Sequence, residues 1–214
     1  MSVSINNKHM NTLINNSIKV SITYEAYRNL VSELVKKNST TGIKKTEALA
    51  NYTKLNDRRM KRWDKTLKVS DGDKNKIKEF DRNVTWLALT ESWCGDAAHI
   101  IPVFNKIATL NNQIDIKIVF RDENPDLMNA FLTDGNQSIP KLIMIDNDTK
   151  EVLNTYGPRP SQATNAVNEF KATHGKLTPE FKEDLQLWYN KDKGQNIIQD
   201  IIEMFSKLEP SVYQ

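Results

Sequence analysis

An apolar run from Val84 to Thr90 breaks off at Glu91-Ser92-Trp93-Cys94-Gly95-Asp96, and apolar residues then recur at helical spacing from Ile100 to Leu110. The run reads as a buried strand and the spacing after it as a helix. A second strand is legible from Ile114 to Phe120, where Ile114, Ile116 and Ile118 alternate with Asp115 and Lys117. A strand, a helix and a strand in succession form a parallel pair with a right-handed crossover. Cys94 is the only cysteine in 214 residues. At the start of a helix, the positive end of the helix dipole favours its thiolate, the reactive form. Asp96 in the same turn opposes this, because a like charge raises a thiol pKa.

The rest of the chain fits around that unit. Pro125 to Leu132 reads as a helix. Lys141 to Asp146 and Glu151 to Tyr156 read as a hairpin across the turn Asn147-Asp148-Thr149-Lys150. Ser161 to Thr173 reads as a helix after Gly157-Pro158-Arg159-Pro160. The expected fold is therefore α/β, a four-stranded mixed sheet with helices on both faces. Before it, residues 1–19 show little pattern and read as a loose tail, with a short extended piece near Ile18-Lys19-Val20. Helices follow over Thr23–Lys37 and, capped by Thr46, to about Leu67, the second with a stripe of Leu49, Tyr52, Leu55, Met60, Trp63 and Leu67. Asp71-Gly72-Asp73 reads as a break before a short helix to Phe80. After Gly175, Thr178-Pro179 starts another helix, and Ile197, Ile198, Ile201, Ile202, Phe205 and Leu208 form the stripe of a last one. That stripe must be covered by the core or by a second subunit, so a homodimer through the C-terminal helices is one expectation. The expected division is 1–82 as N-terminal tail and helical extension, 83–175 as the α/β domain, and 176–214 as a C-terminal helical extension.

Charge and composition exclude several classes. Net charge is +3, but residues 36–82 hold 15 Lys/Arg against 7 Asp/Glu, and residues 83–214 hold 12 against 18. The basic block carries no nucleic-acid motif and reads as a solvated helical face, so no nucleic-acid partner is expected. No run approaches membrane-spanning length and the first residues lack an apolar signal region. One cysteine rules out an internal disulfide framework, and a reducing cytoplasm is the expected compartment.

Trp93-Cys94-Gly95 at the first strand-to-helix turn, Pro102 eight residues after Cys94, Ile139-Pro140 opening the third strand and Gly157 closing the fourth together resemble the thioredoxin fold over about residues 84–174. Trp93-Cys94-Gly95-Asp96, Arg121-Asp122, Ser138-Ile139-Pro140 and Gly157-Pro158-Arg159 are further similar to a bacterial thioredoxin-like family with an N-terminal helical extension. The resemblance implies a cis proline at Pro140 beside the cysteine. Three departures bear on activity. Ala97 stands at the resolving-cysteine position, Asp96 at the proline, and Ala88 replaces the buried acid. A dithiol cycle, in which a second thiolate releases the mixed disulfide, is therefore closed to this chain.

The candidate catalytic group is Cys94. Trp93, Gly95, Asp96, Ile139, Pro140, Arg121 and Arg159 are the candidate binding residues around it. The backbone at Ile139 could pair with an extended peptide. Arg121 and Arg159 could grip a carboxylate of a small thiol, or could pair with Asp122 and Asp96 to fix the loops, and Lys141 could share that work. Cys94, Asp96 and His99 do not fall on one helical face, so no metal is expected, and no cofactor. Three functions are compatible with these residues. A monothiol redox protein would form mixed disulfides with a protein or small thiol, resolved from outside. A non-catalytic module would hold a peptide in the groove between Trp93 and Pro140. An iron–sulfur carrier is the third, disfavoured by Trp93 and Pro102.

Overall fold

The structure is a computed structural model, and it describes residues 2–209. Its centre is a four-stranded sheet in the order β2-β1-β3-β4, built from β1 (Val84–Thr90), β2 (Ile114–Phe120), β3 (Lys141–Asp146) and β4 (Val152–Tyr156). β1 and β2 are parallel, with Ala88 opposite Ile118. β3 runs antiparallel to β1 with Leu142 opposite Ala88, and β4 is antiparallel to β3. All seven residues of β1 are buried, as a central strand covered on both faces requires. This is the mixed sheet that the sequence pattern and the resemblance both imply.

Among the described residues, ten further segments surround the sheet. α1 is Ser2–Val20, α2 is Tyr24–Lys36, α3 is Glu47–Thr66 and α4 is Asp71–Glu79. α5 (Ala97–Ala108) connects β1 to β2. A 3-10 turn (Arg121–Glu123) and α6 (Pro125–Ala130) follow β2. α7 (Ser161–His174), α8 (Pro179–Asp192) and α9 (Gln195–Leu208) complete the chain. The starts are set by local chemistry. Thr23, Thr46, Ser70 and Thr178 each accept a hydrogen bond from a backbone N–H of the first turn, which satisfies one of the donors a helix start leaves open.

Four expectations are corrected. The supposed loose tail is helical from Ser2, while Met1 lies outside the described residues. α1 buries Ile14 and Ser17. The extended pairing falls at Ile22 rather than near Ile18, where its N–H and C=O exchange bonds of 2.9 and 2.8 Å with Ile118 and close the outer edge of β2. Asp71-Gly72-Asp73 opens α4 instead of breaking the chain, because Ser70 caps it and both carboxylates lie in its favourable first turn. Finally, the stripe expected on α3 is rotated. Its buried side holds Ala50, Thr53, Asn56, Asp57, Met60 and Trp63, and Tyr52 and Leu55 are exposed. This face packs on the polar turn after β1 and on α2, where Arg28 bonds Asp57 at 3.2 Å and Asp64 at 3.1 Å.

The C-terminal stripe is covered within one chain. Ile197, Ile198, Ile201, Ile202 and Phe205 are buried. Phe205 stacks on Phe80 of the segment after α4 at 4.0 Å and leans on Trp86 of β1 at 6.0 Å. Among the described residues no helix is long and apolar enough to cross a membrane.

Candidate functional site

The turn between β1 and α5 is held from both sides. On one side the loop before α3 and α3 itself grip Ser92. The Ser92 hydroxyl accepts from the Thr41 N–H at 3.0 Å and lies 2.8 Å from the Thr53 hydroxyl, and the Ser92 N–H donates to Thr41 Oγ1 at 2.8 Å. Asn56 Nδ2 donates to the Ser92 carbonyl at 2.9 Å. A buried turn has backbone groups that need partners, and this explains why α3 turns a polar face inward.

On the other side α8 and the loop after β4 meet at Asp96. Its carboxylate receives the Tyr189 hydroxyl at 3.0 Å and pairs with Arg159 at 2.7 Å. It makes no side-chain cap on α5, which begins at Ala97 and not at Cys94. Burial pushes the Asp96 carboxyl upward in pKa, and Arg159 and Tyr189 pull it back. Next to it, His99 Nδ1 accepts from Trp63 Nε1 at 3.0 Å, so Nε2 carries the proton and donates to Gln186 Oε1 at 2.9 Å. The ring stacks on Tyr189 at 4.4 Å. Burial lowers the His99 pKa to about 3. With both nitrogens engaged, His99 is a structural strut.

Cys94 sits between these two clamps, 8% exposed, with Sγ donating to the Ile139 carbonyl at 3.3 Å. The N–H groups of Asp96 and Ala97 face the sulfur and favour thiolate, as does the charge of Arg159. Burial and the Asp96 carboxylate outweigh them, and the thiol is pushed up to about 12. The sequence reading weighs dipole against carboxylate and leaves out desolvation, which is the largest cause here. The Ile139–Pro140 peptide is cis, and so is Gly157–Pro158, which the sequence reading does not anticipate. Gly157 has φ +104°, and a Cβ there would come 2.2 Å from the Pro140 carbonyl oxygen, so only glycine fits beside that loop.

The remaining candidates separate. Trp93 is half-buried, with the Arg121 guanidinium 4.9 Å above its ring. Arg121 pairs with Asp122 at 2.8 Å, and Asp122 in turn receives the Ile43 N–H at 3.1 Å and donates its own N–H to Glu91 at 2.9 Å. The two arginines therefore lie in different clusters, one on Trp93 and one on Asp96, and each is paired with an aspartate. Lys141 is buried, and burial lowers its pKa while Asp134 opposes that. Among the described residues no group of three metal-binding side chains comes together. Sequence reasoning missed Thr53, Asn56, Arg59, Gln186 and Tyr189. Their only signal is helical position, which marks apolar faces and not the polar needs of a turn on another element.

Comparisons with known proteins agree with this geometry. The family model for thioredoxin matches residues 42–171, more than half of the chain and including α3 and α4. No curated protein matches. Two solved structures share the fold. A Pseudomonas aeruginosa protein of unknown function, PA1234, has 12% identity and a TM-score of 0.57 over 89% of this chain and 95% of its own. An HIV epitope-scaffold has 14% identity and a TM-score of 0.55 over 87% and 99%. A four-stranded mixed sheet, a lone cysteine at the first strand-to-helix turn with Pro140 against it, and the matched stretch place this chain in the thioredoxin family.

Proposed function

We propose that this protein is a single-thiol redox member of the family, in which Cys94 forms a mixed disulfide with a partner and an outside thiol resolves it. The observation that supports this reading is that two amide N–H groups of the Asp96–Ala97 turn face the sulfur and favour its thiolate. The Cys94 thiolate attacks a disulfide, one sulfur bonds to Cys94, the other leaves as thiolate and takes up a proton. A second, external thiol then attacks the partner's sulfur and returns Cys94 to the thiol. Ala97 supplies no sulfur for an internal second step. A reducing cytoplasm is the compartment this reading fits.

A second reading is favoured by the burial of Cys94 and the raised pKa. Here the protein is a non-catalytic binding module, and the thiol is a structural donor to Ile139. One experiment separates the two. Native protein is incubated with a small disulfide at pH 9, and the adduct is followed by mass spectrometry. The redox reading expects one reversible adduct on Cys94, and no insulin reduction unless a small thiol is added. No adduct in the native state, with ready labelling after denaturation, would leave the binding module.

A further inference from the structure

Beside the cysteine turn, a groove of about 530 Å³ runs between α3 and α8 and reaches Gly95 and Asp96. Its α3 wall carries Tyr52 and Leu55, 54% and 40% exposed, the two apolar residues that the rotation of α3 leaves without a core to enter. Between them and the turn lies Arg59. Its Nη1 donates to Asn56 Oδ1 at 3.0 Å, and among the described residues it has no ion pair. The guanidinium rests on the turn itself, since a Cβ on Gly95 would come 3.6 Å from Nη1. Arg159 lines the same groove, and its Nε is buried with no hydrogen-bond acceptor among the described residues. Lys182 adds a third cation. The groove's acids are Glu183 and Asp96, and Asp96 is already taken by Arg159. A half-buried arginine with spare donors, next to exposed apolar surface, matches a carboxylate on a short apolar body.

We propose that this groove selects the small-molecule partner of Cys94: a low-molecular-weight disulfide or thiol bearing a carboxylate, held by Arg59 with its apolar part on Tyr52 and Leu55. The proposal rests on the redox reading given above, and it replaces the expected grip by Arg121 and Arg159 with one centred on Arg59. In the exchange, Cys94 thiolate attacks one sulfur of the bound disulfide, the carboxylate-bearing half stays bonded to Cys94, and the other half leaves as a thiol.

The test compares the rate of mixed-disulfide formation at pH 9 for three probes: dithiodipropionate, hydroxyethyl disulfide and cystamine. The carboxylate probe is expected to react about ten-fold faster than the neutral one despite its own charge, with cystamine slowest. Arg59→Gln should bring the ratio of carboxylate to neutral rates close to one, Lys182→Gln should lower it partway, and Arg59→Lys should retain part of it. Binding of dithiodipropionate to the Cys94→Ser protein, followed by NMR shifts of Gly95 and Gln186, gives a readout without the thiol and without relying on the Arg59 variant folding. Equal rates for all probes, with no shifts in Cys94→Ser, would overturn the groove and leave the redox reading standing. Shifts in Cys94→Ser with no adduct on the native protein would remove the redox reading and keep the carboxylate site.

Discussion

Asp96 ties the cysteine turn to two other elements of the fold. It holds Arg159 and Tyr189 and sits next in charge to Cys94, so replacing it separates stability from reactivity. Burial is the first cause of the raised Cys94 pKa and the Asp96 charge the second; in Asp96→Asn that charge is gone, and alkylation by iodoacetamide at pH 8 should quicken. Arg159 loses its anion in the same step. Breaking a buried pair costs about 3–5 kcal/mol, and the partial exposure of Arg159 reduces that to about 2. A faster thiol in a less stable protein is the expected pair of results, from alkylation rates and urea melts on one sample. A faster thiol with unchanged stability would mean that Arg159 does not depend on Asp96. His99 gives a second prediction. Its pKa is depressed to about 3, so its proton-linked stability is whole above the ordinary histidine value near 6.5 and is lost as pH falls toward 3. Its ring protons in NMR should stay flat from pH 8 to 5, whereas a titration in that window would contradict the Trp63 and Gln186 bonds. Of the two partners of Asp96, Arg159 is one the sequence offers, and Tyr189 is not. Tyr189 is 93 residues away, and nothing in its helical stripe distinguishes a tyrosine that packs from one that donates.

Elements were more legible than their orientations. The strands at Ile114–Phe120 and Lys141–Asp146 and the cap at Thr46 follow from alternation and capping chemistry, which act within a few residues. The buried face of α3 does not, because it is decided by what Ser92 requires from across the fold. Thr53→Val tests this. Losing the hydroxyl that meets Ser92 should cost about 1–2 kcal/mol by thermal or urea melting, although valine is the more apolar residue on a buried face. A stabilised variant would show that the face is merely tolerant of polarity. For α9 the pattern and the packing agree. Phe205 fills the space between Phe80 and Trp86, so Phe205→Ala should cost about 3–5 kcal/mol by denaturant melting. A loss under 1 kcal/mol would mean that α9 is loosely docked.

Across the whole molecule, burial of protonated groups around the turn sets its response to alkali. Cys94 is pushed up to about 12, and Tyr27 and Tyr189 are also raised, each chiefly by burial. A raised acid holds its proton more tightly when folded, so this stability is whole below the ordinary thiol value near 8.5 and is lost as pH climbs toward 12. Cys94→Ser should therefore flatten the fall in melting temperature between about pH 8.5 and 10 and leave the steeper tyrosine part above it. If the two proteins lose stability in parallel over that lower range, the buried-thiol assignment is wrong. The architecture was legible because β1, β2 and β3 carry their burial in local pattern. The clamp of α8 on the turn was not, since no pattern ties a C-terminal helix to a loop so far back in the chain. The hydrogen bond from Cys94 to the Ile139 carbonyl also bears on time. A thiol that holds its proton attacks slowly, and the same sulfur is a poor leaving group once it is part of a disulfide. On the redox reading, burial shields Sγ from a second nucleophile, and release would pass through the partner's sulfur with Cys94 departing. For a partner once captured, the dwell on this protein would be long, and the site would count partners rather than turn them over.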